Sequence, residues 1–446
     1  MKRHSPILRI ALPSIVSNIT VPLLGLVDAA IAGHLGDAVY LAAIALGGMM
    51  FNMMYWLFSF LRTGTGGLTA QAYGAHDADE CQRMLCRSLV VALVIGLAVI
   101  TLQEVVLRLT LSLVTADDGV ARWAVRYFRL LIWGAPAVMA LYSFSGWFLG
   151  MQNARFPMVV SIAQNVVNIL TSLLLVVVCG WGIDGVAVGT LVAQYAGVAI
   201  AFVLYVCRYG FHLWRVGRGP LWADGALRRF FVVNRDIFLR TLCLVAVTTA
   251  FTATGTALGG LTLAANALLM QLFILYSYFM DGFAYAGEAL GGKYVGGGHR
   301  AAFLILTRRL FLVSLWPTAA FTLLYVAGGR SFLSLLTDQT QVLDTAGHYL
   351  PAACLIPAVS VAAFLFDGLF IGATATRAML LSMGGAAAVF FLTLGLLPWG
   401  NTTLWIAFLL YLGCRGAMQW FLFRGVVRRA FSVRQSLLTH SGAESE

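Results

Sequence analysis

Apolar runs of about 20 residues recur from one end of the chain to the other, separated by short polar turns. Each run is long enough to cross roughly 30 Å of hydrocarbon as a helix. Lipid offers no hydrogen-bond partners, so a spanning segment must satisfy its backbone internally, as a helix or in a closed barrel. A barrel would show short strands of alternating polarity, and the chain has none of these. Only 11% of the residues are charged, against about 25% in an ordinary soluble domain. The reading is an all-α integral membrane protein of twelve transmembrane helices. The spans fall at about 7–33, 38–66, 87–113, 121–150, 157–179, 186–208, 234–258, 262–288, 303–326, 343–371, 378–397 and 402–424.

The net charge of +11 does not point to nucleic acid, because the basic residues alternate with the spans. Lys2, Arg3 and Arg9 open one set of loops, followed by Arg83, Arg87 and Arg155, then Arg215, Arg218, Arg228, Arg229 and Arg235, and on to Arg434. The opposite loops, such as "GWGIDG" and "LTDQTQ", are short and nearly free of positive charge. Arg108, Arg122, Arg126 and Arg330 are exceptions at span ends. The positive-inside rule then places both termini in the cytoplasm. No cleavable signal peptide is expected, since the first apolar run is too long for one.

The chain repeats itself. "LSLVTADD" at Leu111 returns as "LSLLTDQT" at Leu333, and "GWFLGMQNAR" at Gly146 returns as "GLFIGATATR" at Gly368. Both pairs lie 222 residues apart, as do Tyr127 and Tyr349, and Arg155 and Arg377. The shift pairs span one with span seven, which run in the same direction. The expected architecture is two six-helix bundles related by a parallel internal repeat, with substrate held near mid-membrane between them. The bundles are read as residues 1–209 and 234–446, the latter with a cytoplasmic tail, joined by a basic cytoplasmic linker at 210–233.

Among the acids inside predicted spans, Asp28, Asp281, Glu288 and Asp367 stand out. Ionisable groups at membrane depth are costly and mark function by default. Asp28 follows Pro13 and Pro22. Pro22 cannot donate to the Asn18 carbonyl, so a broken or kinked turn is expected beside the acid. Asn165 and Asn168 share one face of span five and are expected to meet Asp28, or else to glue helices together. Asp281 and Glu288 are seven apart on one helix face, flanked by Tyr276, Tyr278 and Tyr285. Acids among aromatic rings suit a cationic amphiphile. Glu288 has the alternative of pairing with Lys293 or Arg62. Under the repeat Asp367 replaces Ser145 and Asp281 replaces Ser59, so the halves should do different work. Arg62, Arg240 and Arg415 are expected to snorkel or to pair with an acid, and they look too scattered to grip a pyrophosphate.

No cofactor, metal site or enzymatic activity is expected. "GGKYVGGG" lacks the P-loop spacing, the histidines fall in loops or at span ends, and the seven cysteines show no paired spacing.

The opening "LPSIVSNITVPLLGLVDAAIAGHLG" and the two "GxxxGxxxAR"-like turns resemble the multidrug and toxic compound extrusion (MATE) family. The segment "YSYFMDGFAYAGEALGGKYVG" is similar to its DinF-like branch. The resemblance implies a secondary antiporter of a bacterial inner (cytoplasmic) membrane, acting as a monomer on small-molecule organic substrates. In the family the span-one acid couples transport to an ion, and span one bends as its protonation changes; Asp28 holds that place. The family's "NxxNIxxD" on span five matches at Asn165 and Asn168 and departs at Ser172, where an acid is missing. A sodium cage prefers more than one carboxylate, so the departure favours H+ over Na+ as coupling ion. Asp281, Glu288 and Asp367 keep sodium open in the second bundle. Sodium-coupled efflux and a lipid-linked oligosaccharide flippase are the alternatives. A membrane scaffold without transport would need interaction loops longer than these.

Overall fold

The computed structural model describes residues 5–33, 38–112, 118–210 and 224–443. Among them the chain is almost wholly helical and forms no strand. The first half runs α1 (Ser5–Gly33), α2 (Ala38–Leu57), α3 (Phe60–Gly74), α4 (Ala78–Thr101), α5 (Gln103–Ser112), α6 (Asp118–Leu131), α7 (Ala135–Gly150), α8 (Arg155–Leu173) and α9 (Ile183–Tyr209). The second runs α10 (Asp224–Ala257), α11 (Gly260–Gly296), α12 (Arg300–Ser334), α13 (Thr340–Gly372), α14 (Thr376–Leu396) and α15 (Asn401–Ala443). Eleven helical runs are long and apolar enough to cross a membrane, and α1 lies on the first predicted span. Most of the predicted linker, residues 211–223, lies outside the described residues.

Helices overrun the predicted spans at their basic ends, because a polar end stays helical after it leaves hydrocarbon. Span two departs more. It breaks at Phe58 and Ser59, whose N–H groups donate three residues back to Tyr55 and Trp56 (3.0 and 3.2 Å), a tightened 3₁₀ pattern. The corresponding part of α11 is continuous. Helix α1, in contrast, stays helical through Pro13 and Pro22. The broken turn expected at Pro22 is absent: one missing hydrogen bond does not end a helix whose neighbouring turns hold.

The chain divides into two compact units. One comprises Val16–Thr69 and Asp77–Leu227. Its core stacks Phe51 on Phe128 (4.9 Å) and buries Trp147, whose indole donates to the Cys81 carbonyl (2.7 Å). The other comprises Met1–Ile15, Ala70–His76 and Arg228–Glu446. There Asn266 and Asn401 exchange amide hydrogen bonds (2.7 and 3.0 Å), and the Trp405 indole donates to Asn266 (2.9 Å). Such amide pairs hold helices together where lipid supplies no hydrophobic drive.

The two halves of the sequence repeat one another's local geometry in the 222-residue register. A Cβ on Gly146 would collide with the Arg62 carbonyl oxygen, and one on Gly368 with that of Ala284, the repeat mate of Arg62. Gln152 and Thr374 are mates, and both sit in the left-handed region, at φ of 63° and 50°. His76 and Gly298 are mates and share that region at 58° and 75°. Within the second unit, a Cβ on Gly74 would strike the Lys293 carbonyl and one on Gly296 the Gln71 carbonyl. These two contacts exchange under the shift, the mark of a local twofold. The glycines are therefore needed for backbone approach. Gly146→Ala and Gly368→Ala should each destabilise the fold by about 1–3 kcal/mol. Gly384→Ala, with nothing within 4 Å, should stabilise it slightly; thermal unfolding of the purified variants checks all three.

Candidate coupling and binding sites

Asp28 is buried on α1, and its Oδ1 accepts no hydrogen bond among the described residues. Helix α8 meets α1 two turns earlier, at Thr20. Asn165 donates to the Thr20 carbonyl of α1 (2.9 Å), and the Thr20 and Ser161 hydroxyls bond at 2.7 Å. Asn168, fully buried, donates instead to Thr190 Oγ1 on α9 (2.9 Å). Neither amide donates to Asp28, contrary to the expected meeting. Their shared face of α8 is split between α1 and α9, and each amide takes the nearer acceptor.

The residue that does stand by Asp28 is one whose only signal in the sequence is its place in the repeat. Tyr127, buried on α6, lies within electrostatic reach of the Asp28 carboxyl and within hydrogen-bonding reach of Thr190. Gly47 makes room for it: a Cβ there would stand 2.5 Å from the Tyr127 ring. Of these groups Asn168 and Thr190 are joined by a hydrogen bond, while Asp28 is linked to Tyr127 by charge alone. Ser172 lies one turn beyond Asn168. Helices α8 and α9 touch there, since a Cβ on Gly189 would collide with Ser172. The Ser172 hydroxyl and Asn168 Oδ1 are buried and accept no hydrogen bond among the described residues.

In the other unit Asp367 is already committed. Its Oδ2 accepts from Arg240 on α10 and Arg415 on α15, and its Oδ1 from Gln419 (2.6 Å). The two arginines, read as scattered, converge on one buried carboxylate although 127 and 48 residues separate them from it. Gln419, one turn after Arg415, had no sequence signal beyond that spacing. Asp281 lies within electrostatic reach of Arg415, with Tyr278 beside it. Asp281, Tyr278 and Tyr285 are half-buried on α11, and Glu288 is buried. Lys293, a suggested partner for Glu288, stands instead over the Tyr73 ring at 5.7 Å. Tyr276 donates to the Pro357 carbonyl (3.1 Å) and serves packing. No group of three or more His, Cys, Asp or Glu among the described residues is arranged to hold a metal ion.

The MatE family profile matches residues 13–174 and again 237–397, one match in each half. The chain belongs to the MATE family. It is a multi-pass membrane transporter of the multidrug and toxic compound efflux type. DNA damage-inducible protein F of Escherichia coli (strain K12) is 39% identical over 91% of this chain and 89% of its own length. Protein DETOXIFICATION 44, chloroplastic, of Arabidopsis thaliana is 25% identical over 92% of this chain and 80% of its own. The fold matches a solved outward-facing multidrug resistance MATE family transporter of the MOP superfamily, with a TM-score of 0.83 at 18% identity, covering 95% and 96% of the two chains. Two MATE matches in one chain agree with the internal repeat, and none of the four candidate acids, Asp28, Asp281, Glu288 and Asp367, has an acidic mate in it.

Proposed function

We propose that this MATE chain exports cationic or amphiphilic organic compounds in exchange for protons. The carrying observation is Asp28 Oδ1, buried with no hydrogen-bond donor among the described residues. Burying an ionised carboxylate without donors is costly, and a proton removes that charge at once. Protonation from outside neutralises Asp28, α1 bends about Pro13 and Pro22, and the outward-facing site lets its cargo go. Asn165 holds α1 against α8, and Asn168 orients Thr190 and Tyr127 beside the acid. Asp281 and Glu288, with Tyr278 and Tyr285, receive the positive end of the cargo. Asp367 is neutralised by its arginines and serves structure. The bundles are residues 1–209 and 234–446, the linker 210–233 and both termini are cytoplasmic, and the protein works as a monomer in a bacterial inner membrane.

Sodium is the second reading, favoured by one observation. Asn168 Oδ1 and Ser172 Oγ are buried oxygens that accept no bond among the described residues, as a cation would want. Protons are preferred because Asp28 is the one carboxylate in that cluster, and hard cations seek charged oxygens. Purified protein in liposomes decides. With proton and sodium gradients imposed separately, dye efflux should follow the proton gradient alone; a response to sodium alone overturns the assignment.

A further inference from the structure

We propose that the α5–α6 corner holds the headgroup of an anionic phospholipid. Helix α6 places Arg122, Arg126 and Arg129 along one face and buries Ala124, Tyr127, Phe128 and Leu131 on the other. The three arginines, with Val125, Leu130 and Asp184, line a cleft of about 330 Å³. Three guanidiniums and one carboxylate line the cleft itself, and a second carboxylate, Glu104, reaches it from α5. Arg126 donates to both Asp184 oxygens through Nε and Nη2, and Arg129 reaches Glu104 on α5 at 3.0 Å. Arg122 has no ion pair among the described residues, though Asp118 lies one turn before it on the same helix. A guanidinium carries five N–H donors, so each arginine keeps donors for a further acceptor.

The position selects a lipid over a soluble anion. Counting about 20 residues back from Gly150 reaches Leu131, which puts the exposed arginine face of α6 at the headgroup end of this span. Aromatic residues of the kind found at that level cluster here. Arg126 sits over the Trp123 ring (5.4 Å), Tyr40 meets Trp123 edge-on (5.0 Å), and Trp133 is 55% exposed. On α5, which packs against α6, Val105 and Leu109 are 62% and 64% exposed and offer acyl chains an apolar surface. Arginines on the non-basic side run against the charge pattern of the whole chain. The repeat mates of Arg122, Arg126 and Arg129 are Asp344, His348 and Pro351, so the feature belongs to one half and is not inherited from the common helix. A phosphodiester matches the guanidinium fork, and its glycerol and chains match the apolar surface.

The test uses the full purified chain, titrated in detergent with dioleoyl phosphatidylglycerol, dioleoyl phosphatidylcholine or inorganic phosphate. Thermal unfolding is read in each case, with retained lipid counted by native mass spectrometry. Phosphatidylglycerol alone should raise the unfolding temperature. Arg122→Gln should weaken its binding about fivefold and Arg122→Gln with Arg129→Gln about 25-fold. The exposed single variant should melt like the natural protein when only phosphatidylcholine is present. Equal stabilisation by inorganic phosphate would make this a small-anion site and overturn the proposal. Equal stabilisation by phosphatidylcholine, or undiminished phosphatidylglycerol binding in both variants, would overturn it too.

Discussion

Asp28→Asn is expected to abolish gradient-driven efflux and to leave the protein folded in its membrane. The substitution keeps shape and volume but removes the group that takes up and gives back a proton. Its carboxyl oxygen Oδ1 accepts no hydrogen bond among the described residues, so no built network is dismantled. Removing a buried charge relieves a cost, and the unfolding temperature should hold or rise. In liposomes, efflux under an imposed proton gradient should fall to the rate of vesicles without protein. Dye binding measured by fluorescence anisotropy should persist, because the proposed cargo residues, Asp281 and Glu288, lie in the other unit. Asp28→Glu, which keeps a titrating group, should retain part of the transport. Undiminished gradient-driven efflux in Asp28→Asn would end the coupling role.

Much of this was legible in the sequence, and the illegible parts have physical reasons. The repeat could be read because glycine, tyrosine and arginine recur in one register, and the fold uses those same positions. Gly146 and Gly368 press on carbonyls that are themselves 222 residues apart. Asp28 could be read as a buried acid because the apolar residues on both sides of it hold the whole turn at membrane depth, and its short side chain cannot reach back to water. What Asn165 and Asn168 touch could not be read, since helical spacing defines a face without saying which neighbours share it. The Tyr127 ring has its place only because Gly47 leaves space, and no local pattern links those two positions. The break at Phe58 is illegible because no proline or glycine marks it. The convergence of Arg240 and Arg415 is hidden for a different reason. Three helices far apart in the chain must assemble before their charges meet, so sequence distance makes a cluster look scattered.

That cluster yields the second large effect. Asp367→Ala should destabilise the protein by about 3–5 kcal/mol, because it strands a buried guanidinium, Arg415, and a mostly buried one, Arg240, without their counter-ion. Arg240 Nε and Arg415 Nε already lack acceptors among the described residues, and the one unpartnered acceptor beside them, Gln419 Oε1, is neutral and cannot replace the lost counter-ion. Thermal unfolding of the purified variant, or its yield in membranes, measures the effect. The cost belongs to the stranded charges and not to the missing carboxylate itself. Replacing all three charged residues together, Asp367→Leu with Arg240→Met and Arg415→Met, should therefore recover most of the stability lost in the single variant. Recovery of folding in the triple variant, accompanied by proton-driven efflux, would make the cluster a device for holding α10, α13 and α15 together. Recovery of folding without efflux would put the buried charges on the path of the cargo. An Asp367→Ala protein that melts like the natural one would show that the arginines do not depend on Asp367 for their burial.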